Sequence, residues 1–309
     1  MRIAILGATS QIAKDLVLSF RGQSRYELVL FARQPEAVLT WLDNLDFAGG
    51  YAVANIAAFS TNEHFDAIIN FIGVGNPAQA AAMGASIFDV TLKFDEMALD
   101  YMFQHPSCRY IFLSSGAAYG ASFDAPVNEK SMATIAINNL RPQDWYAVAK
   151  LYAECRHRSL PHLSIVDIRV FNYFSHTQDL EARFLMTDIL RAIRDNVVLQ
   201  TSSDFIVRDF LHPTDFNLLV TALLSASASN AAVDCYSRAP IDKPSLLTAM
   251  KDEFGLRYEI TEARDSVNAT GIKPHYYSLN MRAADFGYYP SLTSLEGIRQ
   301  EMRKIIYDK

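Results

Sequence analysis

Short apolar runs alternate with longer amphipathic stretches over the first 170 positions of the chain. Runs at 3–6, 28–31, 51–54, 67–71, 110–114 and 165–170 have strand length, and their near-continuous apolar character marks strands covered on both faces. Between them, segments 11–20, 37–42, 88–103 and 144–158 are helix candidates. Polar or Gly/Pro clusters such as Arg21-Gly22-Gln23-Ser24 and His105-Pro106-Ser107 punctuate the series. This rhythm predicts an α/β fold, a doubly wound parallel sheet with helices on both faces. After residue 170 the rhythm weakens. Helix candidates at 180–194, 213–224 and 245–254 are accompanied by extended pieces at 197–200 and 258–261, enough for a small second sheet. The expected organisation is one domain over 1–170, with part of 200–240 returning to it, and a smaller C-terminal lobe over 171–309.

The first apolar run leads into Gly7-Ala8-Thr9-Ser10-Gln11-Ile12-Ala13. A strand, a tight turn and a helix beginning near Ser10 present backbone N–H groups to an anion and suit the pyrophosphate of a dinucleotide. Such Rossmann-like turns usually carry three glycines; here only Gly7 is kept, with the small residues Ser10 and Ala13 in the other places. Gly7, Thr9, Ser10, Gln11 and Ile12 are therefore expected at the cofactor, making 1–170 a dinucleotide-binding domain and the C-terminal lobe the substrate-binding one.

The second strand ends in Phe31-Ala32-Arg33-Gln34, with no acid before Glu36. A carboxylate near that strand end would accept from the adenosine ribose of NAD, whereas the fork of Arg33 suits a 2'-phosphate. NADP(H) is favoured and NAD(H) is the alternative; a solvated surface role is the bland reading of Arg33. Asn55 and Ile56 follow the third strand, where an amide can meet adenine. Phe71, Ile72 and Gly73 follow the fourth and bring backbone alongside the cofactor. Ordinary turn formation is the competing reading for both groups.

Composition narrows the classes. The 309 residues, 50 % hydrophobic, suffice for a substantial core, and a net charge of -6 gives no reason to expect nucleic acid or an anionic membrane as partner. Cys108, Cys155 and Cys235 match no metal spacing and read as reduced thiols of a cytoplasmic protein. No apolar run reaches membrane-spanning length, and Met1-Arg2 lead directly into the first strand, so no signal peptide is expected.

The candidate chemistry lies in Ser115, Tyr146 and Lys150. Tyr146 and Lys150 are four apart on a predicted helix and share a face. An ammonium beside a phenol is expected to lower its pKa, preparing it to exchange a proton with an alcohol or carbonyl oxygen. Ser115, at the end of the fifth strand, can hydrogen-bond the same oxygen.

These residues sit in longer motifs. Leu113-Ser114-Ser115-Gly116-Ala117-Ala118-Tyr119-Gly120 is followed by Trp145-Tyr146-Ala147-Val148-Ala149-Lys150, then Arg169-Val170-Phe171-Asn172, then Arg208-Asp209-Phe210-Leu211-His212-Pro213. With Phe286-Gly287-Tyr288-Tyr289-Pro290 before the last helix, the chain resembles the extended short-chain dehydrogenase/reductase family over nearly its whole length. That branch includes nucleotide-sugar epimerases, dehydratases and ketoreductases. The resemblance implies Ser115 as catalytic serine, Tyr146 as acid/base, and Lys150 as its activator and ribose ligand. Asn172, Arg208 and Arg264 become substrate-binding residues, Arg208 gripping a phosphate unless it pairs internally with Asp209 or Asp215. Asp209 and His212 are expected to hold the loop. Tyr173-Phe174-Ser175-His176 replaces the aromatic-Gly-Pro stretch that often follows the third motif, leaving the sugar open.

Dehydratases of this kind carry Asp-Glu directly after the catalytic Ser or Thr; here Gly116 and Ala117 stand there and can move no protons. Arg33 and the missing acid favour an NADPH-dependent ketoreductase of a keto-deoxy sugar on a nucleoside diphosphate. A nucleotide-sugar 4-epimerase is a narrow second, and a non-catalytic NADP-binding regulatory protein a third. The resemblance also implies a homodimer through the helices at 88–103 and 144–158.

Overall fold

The computed structural model describes residues 1–45, 50–74, 80, 82–120, 123–182, 184–261 and 273–307. β1 (Arg2–Leu6), α1 (Gln11–Ser19), β2 (Glu27–Ala32), α2 (Pro35–Asp43) and β3 (Ala52–Asn55) open the chain. They are followed by β4 (Ala67–Asn70), α3 (Ser86–Gln104), β5 (Arg109–Ser115), α4 (Trp145–Arg158) and β6 (Ser164–Val170). Next come β7 (Asn172–Tyr173), α5 (Leu185–Arg194), β8 (Val198–Thr201), β9 (Val207–Arg208), β10 (Phe210–Leu211) and α6 (Pro213–Ser225). The chain closes with β11 (Ala231–Asp234), β12 (Ile241–Asp242), α7 (Lys243–Phe254), β13 (Arg257–Ile260), β14 (His275–Tyr276) and α8 (Ser294–Tyr307).

Seven strands form one parallel sheet in the order β11-β6-β5-β4-β1-β2-β3. This is the Rossmann-like α/β architecture. Both faces are apolar because successive β1 side chains serve different cores. Ile3 and Ile5 pack with Leu16 of α1 and Leu219 of α6, whereas Ala4 and Leu6 pack with Phe94 and Leu99 of α3. Each large side chain so buried contributes about 1.5–3 kcal/mol. Strand order reverses at β1, between β4 and β2. The crevice at the carboxyl ends of β1 and β4 is where such sheets seat ligands.

The remaining elements build a lobe around Phe174, Met186, Ile189, Leu246, Met250 and Met302. β8 and β13 pair there in parallel, as the second small sheet. Helix α5 begins at Leu185 rather than at 180. The Asp179 carboxylate accepts from the Glu181 N–H at 2.9 Å, and the Thr187 hydroxyl accepts from the Phe184 N–H at 3.0 Å, so turn and cap hydrogen bonds displace the helix start. β9 lies between β12 and β14 and pairs Arg208 with Tyr276. That register carries Tyr276 to the carboxyl end of β5 in the large sheet. Among the described residues, no helix is long and apolar enough to cross a membrane.

Candidate active site

The crevice starts at Gly7, whose φ of +80° belongs to glycine. Its N–H donates to the Phe31 carbonyl at 2.9 Å, and a Cβ there would lie 2.9 Å from Ile72 Cγ1 and 3.0 Å from the Ile72 nitrogen. Turn geometry and close approach both demand this one glycine. Ala13, in the place of the third, is fully buried without conflict. The Ser10 side chain caps no N–H of α1, and the first turn holds no acid, so the positive helix end is left for an anion. A dinucleotide pyrophosphate fits that seat. Thr9 is exposed beside it, Ile12 is half-buried, and the Gln11 amide donates to Ser175 Oγ at 3.3 Å.

Arg33 extends into solvent from the end of β2. Its carbonyl accepts from Asn55 Nδ2 at 3.2 Å, while Asn55 Oδ1 accepts from the Ala57 N–H at 2.9 Å. Each end of the exposed Asn55 amide thus makes one hydrogen bond within the turn, and Nδ2 keeps a second N–H to donate. Ile56 is buried in the core. Phe71 is also buried and its N–H donates to the Leu6 carbonyl at 2.9 Å, continuing the β4–β1 ladder. Gly73 is exposed, and a Cβ on it would stand 3.3 Å from Lys150 Nζ.

Helix α4 delivers Tyr146 and Lys150 to this crevice. Lys150 is only 3 % exposed; its ammonium donates to the Leu113 carbonyl at 2.7 Å and lies 4.3 Å from the centre of the Phe112 ring. Burial pushes its pKa down to about 8, opposed by the fields of Asp95, Asp167 and Glu154. Ser115 Oγ accepts from the Ala117 N–H at 3.1 Å. Tyr146 corrects one expectation. Its pKa is raised by burial, a shift opposed by a hydrogen bond with Ser115. Lys150 does not lower it, because the ammonium is committed to Leu113 and sits 6.0 Å from the phenol ring centre. Desolvation wins.

Behind Ser115, a Cβ on Gly116 would lie 2.4 Å from Cδ1 of Phe171, and Ala117 is buried. A carboxyl side chain at position 116 would displace that ring. A buried polar network fixes the frame. Ser114 Oγ donates to Glu154, which pairs with Arg169; Arg169 in turn donates to Tyr119 and Asp234. Ser278 Oγ donates to Asp234 at 2.6 Å, tying the segment after β14 to the sheet.

On the lobe side, Asn172 Nδ2 donates to the carbonyls of Tyr276 at 3.3 Å and Asp209 at 3.4 Å. Arg208 Nη1 donates to the carbonyls of Lys273 at 2.7 Å and Val207 at 2.8 Å, and burial pushes its pKa down to about 10. It makes no internal pair with Asp209 or Asp215. Asp209 accepts from Ser237 and Ser294, and Asp215 from Ser291 and Leu292. His212 caps α6 through the Thr214 N–H and contacts Glu301 at 2.9 Å, tying its loop to α8. Arg264 lies outside the described residues.

Two residues at this site escaped the sequence reading. The Tyr276 hydroxyl is 3.3 Å from Ser115 Oγ, and Lys273 Nζ stands 4.7 Å from the centre of the Tyr276 ring. The only signal was the clustering of Lys273-Pro274-His275-Tyr276-Tyr277, without periodicity to place it.

The profile of the family described as "NAD dependent epimerase/dehydratase family" matches residues 3–236. No curated protein matches the chain at the sequence level. UDP-glucuronic acid 4-epimerase from Bacillus cereus, solved with UDP-glucuronic acid and NAD, is 15 % identical with a TM-score of 0.79, covering 99 % of each chain. UDP-glucose-4-epimerase from Stenotrophomonas maltophila, with bound NAD, is 17 % identical with a TM-score of 0.81, covering 99 % of this chain and 97 % of that one. dTDP-glucose 4,6-dehydratase from Bacillus anthracis, in complex with NAD, is 14 % identical with a TM-score of 0.78, covering 98 % and 96 %. At these identities the likeness is one of fold.

Proposed function

The chain belongs to the NAD-dependent epimerase/dehydratase family, and from that premise we propose that it transfers hydride at a carbon of a nucleoside-diphosphate sugar. The observation that carries this reading is the meeting of Ser115, Tyr146 and Lys150 beside Gly73 at the strand-end crevice. A nicotinamide dinucleotide supplies or takes up the hydride when bound. Gly7 and the uncapped start of α1 hold its pyrophosphate. Lys150, three-donor and desolvated, holds a ribose hydroxyl. Tyr146 exchanges the proton with the sugar oxygen, and Ser115 orients that oxygen. Arg208 and Asn172 anchor the diphosphate end.

Within that reading we favour reduction of a keto-deoxy sugar by NADPH. A phenol whose pKa is raised is protonated near neutral pH, the state that donates to a carbonyl oxygen. Arg33, exposed at the end of β2 without a neighbouring acid, suits a 2'-phosphate. The 4-epimerase is the second reading, favoured by the NAD-bound epimerases that share this fold. Dehydration is disfavoured by the packing of Phe171 on Gly116. Helices α3 and α4 lie together on one face of the sheet and are proposed to pair with a second copy.

The deciding experiment incubates a panel of UDP- and dTDP-sugars and their 4-keto derivatives with NADPH and NADH. Net loss of reduced cofactor supports the reductase. Sugar isomerisation without that loss assigns the epimerase, and no turnover with any member of the panel rejects hydride transfer on nucleotide sugars.

A further inference from the structure

We propose that His157 is a positioning residue for the nicotinamide half of the cofactor, acting through Asp95, Tyr110 and Asn70 on the backbone of Ile72 and Gly73; this rests on the dinucleotide-binding reading above. His157 follows Lys150 by seven residues on α4, about two turns along the same face. It is fully buried, with Nδ1 2.6 Å from Asp167 Oδ1 and Nε2 2.8 Å from Asp95 Oδ1. Desolvation lowers its pKa, but the two carboxylates outweigh burial and hold it at about 9. Both ring nitrogens therefore donate near neutral pH.

From Asp95 a chain of hydrogen bonds runs to the crevice. The Tyr110 hydroxyl donates to Asp95 Oδ1 at 2.9 Å, and Asn70 Nδ2 donates to the Tyr110 oxygen at 2.9 Å. Asn70 Oδ1 accepts in turn from the Ile72 N–H at 2.9 Å. Asn70 closes β4, so this last bond fixes the course of the backbone as it leaves the strand. Gly73 comes next, and a Cβ on it would stand 3.3 Å from Lys150 Nζ. The Phe112 ring meets both ends of the system, its centre 5.2 Å from that of the His157 ring and 4.3 Å from Lys150 Nζ.

Stability alone gives little reason for such a chain. Asn70, Asp95, Tyr110, His157 and Asp167 are each at most 1 % exposed, and Tyr110 packs in the apolar core with Leu99, Phe112 and Ile165. Buried ionic groups can often be replaced by apolar residues of similar volume without loss of stability. An apolar replacement could not hold the Asn70 amide in one orientation. Oδ1 faces Ile72 because Tyr110 receives the amide N–H, and Tyr110 is free to receive because its own proton goes to Asp95. His157 holds that Asp95 oxygen, with Arg156 3.8 Å from the other, while Arg158 donates to Asp167 at 2.9 Å.

Titration calorimetry tests the relay by comparing NADH or NADPH, whichever wild type binds more tightly, with its nicotinamide-free fragment, ADP or 2'-phospho-ADP. On the reading above only the nicotinamide half meets Lys150, so the fragment reports any general loosening of the fold. Tyr110→Phe keeps the ring and removes the link; it is expected to weaken the dinucleotide about 5- to 10-fold and leave the fragment within about twofold. His157→Gln is expected to do the same. The double variant should be no worse than Tyr110→Phe alone, because one path is cut twice. If His157→Gln does not fold, Asp95→Asn cuts the same path and takes its place in the cycle. An unchanged dinucleotide Kd in Tyr110→Phe, or an equal loss for the fragment, overturns the inference. Additive losses in the double variant overturn it as well, since His157 would then act on Lys150 through the fields of its carboxylates. Wild type that binds neither dinucleotide overturns the inference together with the reading beneath it. Wild type that binds one but turns over no nucleotide sugar rejects the sugar reading alone, and calorimetry still decides His157.

Discussion

The Tyr276 hydroxyl and the Ser115 Oγ stand 3.3 Å apart, joining residues 161 positions distant in the chain. Tyr146 reaches the same serine from α4, so Ser115 lies between two phenols. They are not equivalent. Burial, helped by the field of Tyr146, pushes the Tyr276 pKa well above the ordinary phenol value, and its ring is held by β14. Tyr276 is thereby suited to orient Ser115 rather than to ionise.

Tyr276→Phe is expected to lower kcat by about 10-fold, the worth of one neutral hydrogen bond. Tyr146→Phe is expected to cost about 100- to 10,000-fold, as loss of a general acid or base does. Steady-state kinetics of the two variants test the ranking. If Tyr276→Phe proved the more damaging, the assignment of proton transfer to Tyr146 would be wrong.

Gly7→Ala places a methyl group 2.9 Å from Ile72 Cγ1 at a backbone φ of +80°. The strain of such a backbone conformation is worth roughly 1–3 kcal/mol, and relief requires the crevice floor to move. Dinucleotide affinity is expected to fall at least about 10-fold with a lowered melting temperature. Fluorescence titration with NADH and NADPH, beside thermal melting, reads both. Gly22→Ala is the control: its φ is +73° but a Cβ there meets nothing within 4 Å. It should therefore reproduce backbone strain without affecting the cofactor.

Arg33→Ala should leave NADH binding within about twofold and weaken NADPH roughly 10- to 100-fold, the loss of a charge-assisted fork on a 2'-phosphate. The side chain is exposed, so folding should not change. Equal effects on the two cofactors would remove the basis for preferring NADPH.

Much of the frame was legible because it rests on local pattern. The six runs from 3–6 to 165–170 all become strands of the large sheet. The interior ones read as continuously apolar because a parallel strand covered on both faces must, while β3 is a partly exposed edge strand. Tyr146 and Lys150 were legible as a pair through helical spacing, but the direction of the Tyr146 shift was not. Spacing shows that two groups share a face; it does not show that Leu113 captures the ammonium. Tyr276 and Lys273 were hidden for another reason. β14 is a two-residue strand with no periodicity, and its register against Arg208 comes from long-range pairing. The helix expected from 180 failed similarly, because Thr187 and Asp179 draw the chain into local hydrogen bonds that compete with a longer helix.

Lys150 provides a pH test of the buried site that needs no substrate. Its pKa lies at about 8 in the folded protein, because burial outweighs Asp95, Asp167 and Glu154, against an ordinary value of 10.5. Below pH 8 both folded and unfolded chains hold the proton, and the full cost of burying the charge is present. Between about 8 and 10.5 the unfolded chain keeps a proton that the folded chain has released, so stability contributed by this lysine rises with pH. Lys150→Met abolishes the titration. Denaturant unfolding of both proteins from pH 7 to 10 should therefore show wild type gaining on the variant, by roughly 1–3 kcal/mol in all. Other groups titrate in both proteins and cancel in the difference. A difference that stays constant, or in which the wild type loses ground to the variant as pH rises, would mean that Lys150 is solvated or fully paired rather than desolvated against Phe112.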